Sequence, residues 1–283
     1  MSLSDTLIIV ERLLERYEMV IDSHEHMMLP TEMQLKMMDA AGVDQTILFC
    51  STPHPEKASS LNEIEEEMSA LYKVLTGDNS KEANIIRQKN NINNLVSVIK
   101  KYPNRFLGFG SVPLGMSLSE TENWINDYII VNSLLGVGEF TPGNEQQILQ
   151  LDTVFQAIET TAILPVWVHT FSPVTMKGIR LLMELCENYP HIPVIFGHLG
   201  GTNWIEVIKF AKAHHNVYLD LSAAFTSIAT KMALIELPEK CLFSSDAPYG
   251  EPYLYRELIE FVSPSKEIAE LALGNNIREL LHI

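Results

Sequence analysis

Short runs of apolar, often β-branched residues alternate along the chain with longer segments in which apolar residues recur every three or four positions. Apolar runs of this length are typical of parallel strands buried on both faces, and the longer segments are typical of the helices that cover them. Eight runs are predicted as strands: residues 19–22, 45–49, 106–110, 134–138, 165–168, 193–197, 217–221 and 241–244. Helices are predicted at residues 32–41, 118–131, 151–161, 175–188, 204–214, 227–237 and 253–262.

The number of strand–helix units indicates how the sheet closes. Eight units over 283 residues fit a closed (β/α)8 TIM barrel of the α/β class, because such barrels form one core at about 250 residues. An open doubly wound sheet fits less well, since no Gly-x-Gly-x-x-Gly motif follows the first strand. The composition, 46% hydrophobic and 20% charged, is that of an ordinary globular protein. We therefore expect a single barrel domain over residues 1–283.

Two segments depart from the regular repeat. Residues 51–105 leave room for two helices after the second strand, at residues 61–75 and 80–101, separated by the helix breaker Gly77-Asp78-Asn79. This insertion either leans over the mouth of the barrel or extends its outer ring of helices. Residues 266–281 are predicted as an extra C-terminal helix, with the weak helix formers Asn275 and Asn276 in its middle.

The acidic charge balance limits the classes of partner. A formal net charge of −16 disfavours nucleic acid, because phosphate binding depends on clustered lysine and arginine. In the first 20 residues, Glu11, Arg12, Glu15 and Arg16 interrupt the apolar positions, so neither a secretory signal nor a membrane span is predicted. The three cysteines lie in or beside apolar runs, as reduced core thiols do. We expect a cytoplasmic protein that acts on a small-molecule substrate, without nucleic-acid or membrane partners, as a monomer or a homo-oligomer.

Two histidines, His24 and His26, stand two positions apart at the end of the first predicted strand. Side chains alternate across a strand, so both histidines point the same way and Glu25 points the opposite way. Imidazole suits zinc and the neighbouring transition metals. The pair can therefore share one metal ion, although a His-x-His motif alone is a weak signal.

Other metal-ligand side chains end later strands of the predicted barrel. Glu139 follows the fourth strand, His169 the fifth, His198 the sixth and Asp246 the eighth. The carboxyl ends of all barrel strands meet at one rim, where barrel enzymes place their catalytic groups. We therefore expect these four residues to converge with the two histidines of the first strand in a metal site.

The combination of motifs resembles the amidohydrolase superfamily and, within it, the group called amidohydrolase family 2. The resemblance covers nearly the whole chain and is specific for the superfamily, but it does not identify a substrate. It depends on four stretches: Ile21-Asp22-Ser23-His24-Glu25-His26, Phe196-Gly197-His198-Leu199-Gly200-Gly201, Ser244-Ser245-Asp246-Ala247-Pro248 and Gly274-Asn275-Asn276-Ile277-Arg278-Glu279-Leu280-Leu281.

The resemblance implies one or two divalent metal ions, with zinc expected and manganese or iron as alternatives. By this resemblance His24, His26 and Asp246 bind one ion, and His169 and His198 bind a second ion or flank the first. Many relatives bridge two ions with a modified lysine after the fourth strand, whereas this chain has Glu139. A bridging glutamate occurs in TatD-like deoxyribonucleases, whose Gly-Glu motif resembles Gly138-Glu139.

The expected catalytic residues follow from this ligand set. Asp246 is the expected general base, because a carboxylate can accept the proton of the attacking water and pass it to the leaving group. Glu139 is the next candidate for that role. His198 is expected to stabilise the developing oxyanion, or His169 if only one metal binds.

Residues near the expected mouth of the barrel are weaker candidates for substrate binding. His54 and Lys57 follow the second strand, with a solvated loop as the alternative interpretation. Tyr249 and Arg256 follow Asp246, and helix capping or a surface position is the alternative for them. Asp220, near the end of the seventh strand, is expected to support the site from behind the ligands.

Hydrolysis of an amide, lactone or ester bond in a small organic substrate is the leading functional hypothesis. The alternatives are non-oxidative decarboxylation of an aromatic or unsaturated acid, a TatD-like deoxyribonuclease, and a scaffold that binds metal without catalysis. A carboxylate at position 139 would repel a substrate carboxylate, which favours hydrolysis. The net charge of −16 disfavours the nuclease.

Overall fold

Eight parallel strands in sequential order form a barrel in the computed structural model, which describes residues 19–50, 53–76 and 81–283. The backbone N–H groups of Ser23 and His26 donate to Phe243 and Ala247, at 2.8 and 2.7 Å, and so join the last strand to the first. The predicted TIM barrel is confirmed. The strands are β1 (Ile21–His26), β2 (Gln45–Phe49), β3 (Phe106–Gly110), β4 (Gly136–Phe140), β5 (Val166–His169), β6 (Val194–Gly197), β7 (Val217–Asp220) and β8 (Cys241–Leu242).

Helices cover the outside of the barrel between successive strands. They are α1 (Thr31–Ala41), α2 (Leu61–Thr76), α3 (Lys81–Lys101), α4 (Leu118–Trp124), α5 (Glu145–Leu149), α6 (Leu151–Thr161), α7 (Met176–Asn188), α8 (Trp204–Ala213), α9 (Ser227–Glu236), α10 (Pro252–Val262), α11 (Lys266–Glu270) and α12 (Asn276–Leu281). Helix α4 continues into a π-helical turn, Ile125–Ile130. Helices α2 and α3 form the predicted insertion after β2. The breaker at residues 77–79, the loop residues 51–52 and residues 1–18 lie outside the described residues.

Aromatic side chains fill the interior of the barrel beneath the rim. The rings of Phe49, Phe109 and Trp167 are fully buried, and their centroids lie 5.2–5.8 Å apart in tilted or edge-on contacts. The ring of His24 rests on this layer, with centroids 4.6 Å from Phe49 and 5.3 Å from Trp167. A filled interior leaves the chemistry to the rim formed by the carboxyl ends of the strands.

The fourth and eighth strands differ in position from the prediction. The predicted strand at residues 134–138 begins two residues later, because the Leu134 N–H donates to Ile129 and closes the π-helical turn. Glu139 therefore lies within β4. The predicted strand at residues 241–244 ends at Leu242, because the Phe243 N–H donates to Ala272 instead of to a neighbouring strand.

The C-terminal segment is not the single helix predicted for residues 266–281. Helices α11 and α12 are separated by a π-helical turn, Leu271–Asn275. The buried side chain of Asn276 donates to the carbonyls of Pro238 and Cys241, at 2.7 Å each. Asn276 therefore ties the segment to the start of β8, a role that its low helix propensity does not reveal.

None of the helices in the described part of the chain combines the length and the apolar composition needed to cross a membrane.

Candidate metal centre and active site

Six side chains from β1, β4, β5 and the segments after β6 and β8 meet at the carboxyl-terminal rim. We call them the central cluster: His24, His26, Glu139, His169, His198 and Asp246. Asp246 Oδ1 lies 3.2 Å from His26 Nε2 and 3.7 Å from His24 Nε2. The structure thus brings together all six residues that the sequence proposed as metal ligands.

Glu139 lies between the two pairs of histidines. Its Oε2 is 3.7 Å from His24 Nε2 and 3.8 Å from His26 Nε2. Its Oε1 is 3.3 Å from His169 Nδ1 and 3.2 Å from His198 Nε2. One carboxylate therefore presents a separate oxygen to each pair.

Each histidine of the central cluster uses its other ring nitrogen for a supporting contact. His24 Nδ1 donates to Asp220 Oδ2 at 2.9 Å, and His26 Nδ1 lies 3.5 Å from the Cys50 carbonyl. Comparable contacts link His169 Nε2 to the Ser172 carbonyl at 3.1 Å and His198 Nδ1 to Ser222 Oγ at 2.9 Å. Partners of this kind fix the orientation of metal-binding imidazoles. In every case the remaining nitrogen faces the centre of the cluster.

The backbone around the cluster is unusually constrained. His198 and Asp246 have φ values of +61° and +59°, in the left-handed region that costs a non-glycine residue about 1 kcal/mol or more. Gly197 has room for no side chain, since a Cβ there would lie 2.9 Å from the Val168 carbonyl and 3.1 Å from Glu139 Oε1. The backbone at His198 and Asp246 is therefore locally strained, and this conformation directs both side chains towards the central cluster.

The electrostatics of the cluster favour bound positive charge. Burial would raise the pKa of Glu139, but the charge of His24 and the imidazoles of His169 and His198 hold it well below its usual range. Burial lowers the pKa of His198, but Glu139 and Asp246 outweigh this effect and raise it to about 10. A buried carboxylate that stays ionised beside imidazoles that attract positive charge is also suited to a divalent cation.

The donor atoms fit a metal centre on two further counts. His24 Nε2 and Glu139 Oε1 are buried and have no hydrogen-bond partner, although leaving such groups unpaired is costly. The donor separations of 2.9–3.8 Å match nitrogen and oxygen ligands of one ion, which at bond lengths of about 2.1 Å lie roughly 3.0–3.5 Å apart. Within the described residues, three groups of three side chains bring their donor atoms within 4.8 Å of one another: His24, His26 and Asp246; Glu139, His169 and His198; and His24, His198 and Asp220. In the last group, His24 and Asp220 are already hydrogen-bonded to each other.

Of the four proposed substrate-binding residues, Tyr249 lies beside the central cluster, and His54 lies in the loop after the carboxyl end of β2. The ring of Tyr249 packs edge-on against His26, with centroids 5.8 Å apart. His54 is half-buried in the loop after β2, where its Nδ1 lies 3.0 Å from Glu56 Oε1 and its backbone N–H donates to Glu67.

Of the other two residues, only Arg256 is placed away from the mouth by its contacts. Lys57 is exposed, and within the described ranges it makes no ion pair or side-chain hydrogen bond. The prediction for Arg256 is wrong. Its guanidinium donates to the carbonyls of Ala41 and Gly42 and to Glu260, at the amino-terminal end of the barrel. Those carbonyls end α1, and a cation is stabilised there by the helix dipole and by the unpaired acceptors.

Several supporting residues escaped the sequence analysis. Ser222, which contacts His198, lies two positions after Asp220 at the end of β7. Trp167 lies two positions before His169 in β5, and its Nε1 donates to Asp220 Oδ2 at 3.2 Å. The alternation that identified His24 and His26 places both residues on the inner side of the barrel. Glu56 gave no comparable signal, because it lies in an irregular loop.

Comparisons with known proteins agree with this architecture. No curated protein sequence matches the chain. A model of the amidohydrolase family matches residues 64–283, more than half of the chain. The match begins after β1 and does not include His24 or His26. Their place in the site is therefore supported by the distances described above and not by the family match.

Solved structures with the same fold include enzymes of more than one type. The 5-carboxyvanillate decarboxylase from Sphingomonas paucimobilis has a TM-score of 0.69 and 14% identity, covering 94% of this chain and 99% of its own. A dihydroxybenzoic acid decarboxylase from Polaromonas sp., with bound manganese and an inhibitor, has a TM-score of 0.61 and 16% identity, covering 93% and 97%. An amidohydrolase II has a TM-score of 0.63 and 17% identity, covering 93% and 100%.

The barrel topology of these structures and the family match over residues 64–283 lead to the same assignment. This chain belongs to the amidohydrolase family, in the group known as amidohydrolase family 2.

Proposed function

We propose that the protein is a metal-dependent hydrolase that cleaves an amide, lactone or ester bond in a small organic substrate. The observation that supports this most strongly is the position of Glu139, with Oε2 towards His24 and His26 and Oε1 towards His169 and His198. A carboxylate shared by two sets of ligands suits two neighbouring divalent ions, an arrangement used by many hydrolytic enzymes.

In this proposal His24, His26 and Asp246 would hold one ion, His169 and His198 would hold the second, and Glu139 would be available to both. Zinc is the proposed metal because four of the six donors are imidazoles. Manganese or iron would also accept this mixture of nitrogen and oxygen donors. The manganese bound to the Polaromonas decarboxylase, which has the same fold, keeps that alternative open.

Proton transfer, charge stabilisation and the exclusion of water are assigned to different side chains. A divalent ion in such a site supplies Lewis acidity, which polarises a substrate oxygen and makes water more acidic. Asp246 accepts the proton of the attacking water and later delivers it to the leaving group. If only one ion binds, His198 would be free to donate from Nε2 to the negative charge on the substrate oxygen, with its ring held through Nδ1 by Ser222 at 2.9 Å. Trp167, Phe49 and Phe109 fill the barrel below and exclude water from that side.

Decarboxylation is the second candidate, because two of the three solved structures described above are decarboxylases. We favour hydrolysis because Glu139 and Asp246 place two carboxylates at the centre of the site. A substrate carboxylate that had to approach the same point would be repelled by both.

The first experiment measures metal content and reaction type on protein purified without chelator. We expect two equivalents of a divalent metal by elemental analysis and turnover of at least one class in a panel of lactones, amides and esters. A chain that neither contains metal nor takes it up from added zinc or manganese would contradict the proposal. Release of carbon dioxide from aromatic acids, without hydrolysis of any panel member, would assign the protein to the decarboxylases.

Replacing Glu139 tests whether its carboxylate is shared by two metal ions. Glu139→Gln is expected to retain at most one equivalent of metal. The matched control is Glu145→Gln, in the segment that follows β4, where the carboxylate is exposed and accepts a hydrogen bond from Thr175. Glu145→Gln should keep both equivalents, and a Glu139→Gln protein that also keeps both would show that Glu139 is not shared.

A further inference from the structure

Large apolar side chains are exposed along two neighbouring helices of the outer ring, α9 and α10, which follow β7 and β8 and pack side by side. Single exposed apolar residues are ordinary on a protein surface, but a group of them on one face marks an interaction site. Of the eighteen large apolar side chains that are exposed in the described part of the chain, six lie on these helices or in the turn before α9: Phe225, Ile228, Ile235, Tyr253, Leu254 and Phe261.

The exposed residues of each helix recur at the spacing of a single helical face. Residues at i, i+3 and i+7 lie on the same side of a helix. In each helix such a row consists of one apolar residue, one charged residue and a second apolar residue. The rows are Ile228, Lys231 and Ile235 on α9, and Leu254, Glu257 and Phe261 on α10. The two rows therefore have the same pattern and opposite charges at the middle position.

The two middle charges have no partner within their own copy. Neither Lys231 nor Glu257 forms an ion pair or a side-chain hydrogen bond within residues 19–50, 53–76 and 81–283, although their helices are adjacent. The neighbouring carboxylates are already paired, that of Glu236 with Lys212 and that of Glu260 with Arg256. In a chain with a net charge of −16, the middle of this face carries one positive and one negative group, so it does not add to the repulsion between two copies.

The exposed apolar area is close to what a stable dimer needs. A fully exposed large side chain presents about 150–250 Å², so the exposed fractions of the six residues, 82% for Phe261 and 42–63% for the others, correspond to roughly 600 Å² per copy. A standard interface buries about 800 Å² per partner, somewhat more than half of it apolar. The six side chains therefore supply the apolar part of an interface of standard size.

We propose that α9 and α10 form the contact face of a two-fold symmetric homodimer, in which α9 of each copy packs on α10 of the other. The outer helices of a barrel run in the same direction. A two-fold axis parallel to them brings Lys231 opposite Glu257 of the second copy, twice per dimer. A two-fold axis across the helices would bring each helix against the same helix of the second copy, with Lys231 opposite Lys231. The charge pattern therefore selects the parallel axis.

The first test measures self-association of the full-length protein by sedimentation equilibrium over a range of concentrations. We expect a dimer, and Phe261→Gln should weaken it by at least about tenfold, because each dimer loses two buried aromatic contacts. The matched control is Leu61→Gln, since Leu61 at the start of α2 is 79% exposed and lies outside this face. It should dimerise as the wild type does. Both replaced side chains are exposed, so both variants should keep the unfolding temperature of the wild-type monomer.

The second test uses charge reversal to determine which helices meet. Lys231→Glu and Glu257→Lys each place like charges in both contacts, and each should weaken the dimer by roughly tenfold. One variant increases the net negative charge and the other decreases it, so weakening of both cannot come from overall repulsion. An equimolar mixture of the two variants should form a heterodimer as tight as the wild-type dimer, because every contact then joins a lysine to a glutamate again.

The remaining outcomes contradict the proposal. A protein that stays monomeric at all concentrations overturns it and leaves the face to a partner of another kind. A dimer that Phe261→Gln leaves unchanged has its contact elsewhere on the surface. A dimer in which neither single charge variant is weaker than the wild type does not pair α9 with α10. None of these measurements needs metal or substrate, so their outcome is independent of the proposed function.

Discussion

Replacing Asp220 by asparagine tests how the barrel orients His24. Both carboxylate oxygens of Asp220 act as acceptors: Oδ2 receives His24 Nδ1 at 2.9 Å and Trp167 Nε1 at 3.2 Å, and Oδ1 receives the Ser222 N–H at 2.6 Å. Burial would raise the pKa of Asp220, but its contacts with His24, the nearby His198 and Ser222 lower it to about 2. The group is therefore a carboxylate at neutral pH.

An asparagine at this position must direct its NH2 group towards a donor. If the NH2 faces Ser222, a buried N–H loses its acceptor, at a cost of about 1–3 kcal/mol in stability. If it faces His24, the imidazole must turn its proton to Nε2, the nitrogen that points into the central cluster. Loss of the supporting partner of a metal-binding histidine costs about 10- to 100-fold in metal affinity. We expect Asp220→Asn to show a loss of affinity in that range.

The assay is competition for zinc against a chromogenic chelator at neutral pH, together with thermal unfolding of the metal-free protein. Asp152→Asn is the matched control, because Asp152 on α6 also accepts two side-chain hydrogen bonds, from Tyr189 and Gln156, away from the rim. Its zinc affinity should equal that of the wild type. An Asp220→Asn protein that binds zinc as tightly as the wild type would refute the orienting role of Asp220.

Three further predictions concern the base, a buried acid and the insertion. Asp246→Asn should reduce turnover by at least about 10²-fold in protein that has been reconstituted to full metal content, because an amide cannot accept the proton of water. Retained activity in that metal-replete protein would transfer the role to Glu139. Burial raises the pKa of Glu25 from 4.5 to about 7. The folded state then binds more protons than the unfolded state between these values, so stability falls as pH rises through that window. Glu25→Gln should remove this fall and stabilise the protein above pH 7 by up to about 3 kcal/mol relative to wild type. Urea unfolding at pH 4.5 and 8 measures the difference, and parallel pH profiles for the two proteins would contradict the prediction. Amide exchange at residues 53–76 should slow when a substrate analogue binds at the central cluster, and identical exchange in both states would show that the insertion is not a lid.

The sequence by itself determined the barrel and the convergence of the six candidate ligands. Apolar runs separated by helical periods predict a parallel sheet covered by helices, and the carboxyl ends of such strands meet at one rim. Any histidine or carboxylate at a strand end is therefore close to the others, whatever the separation along the chain. For the same reason His169 and His198, 29 residues apart along the chain, come within 2.9 Å of each other.

Only the tertiary structure decided what each side chain contacts. Arg256 follows Asp246 closely in sequence, but α10 leads its long side chain to the opposite end of the barrel, where the carbonyls that end α1 accept its protons. Glu139 is one carboxylate in sequence, and its two oxygens acquire separate partners only because barrel closure brings the carboxyl ends of β1, β5 and β6 towards that of β4. Strand periodicity is local and can be read from the chain, whereas hydrogen-bond partners and desolvation depend on distant segments that packing brings together.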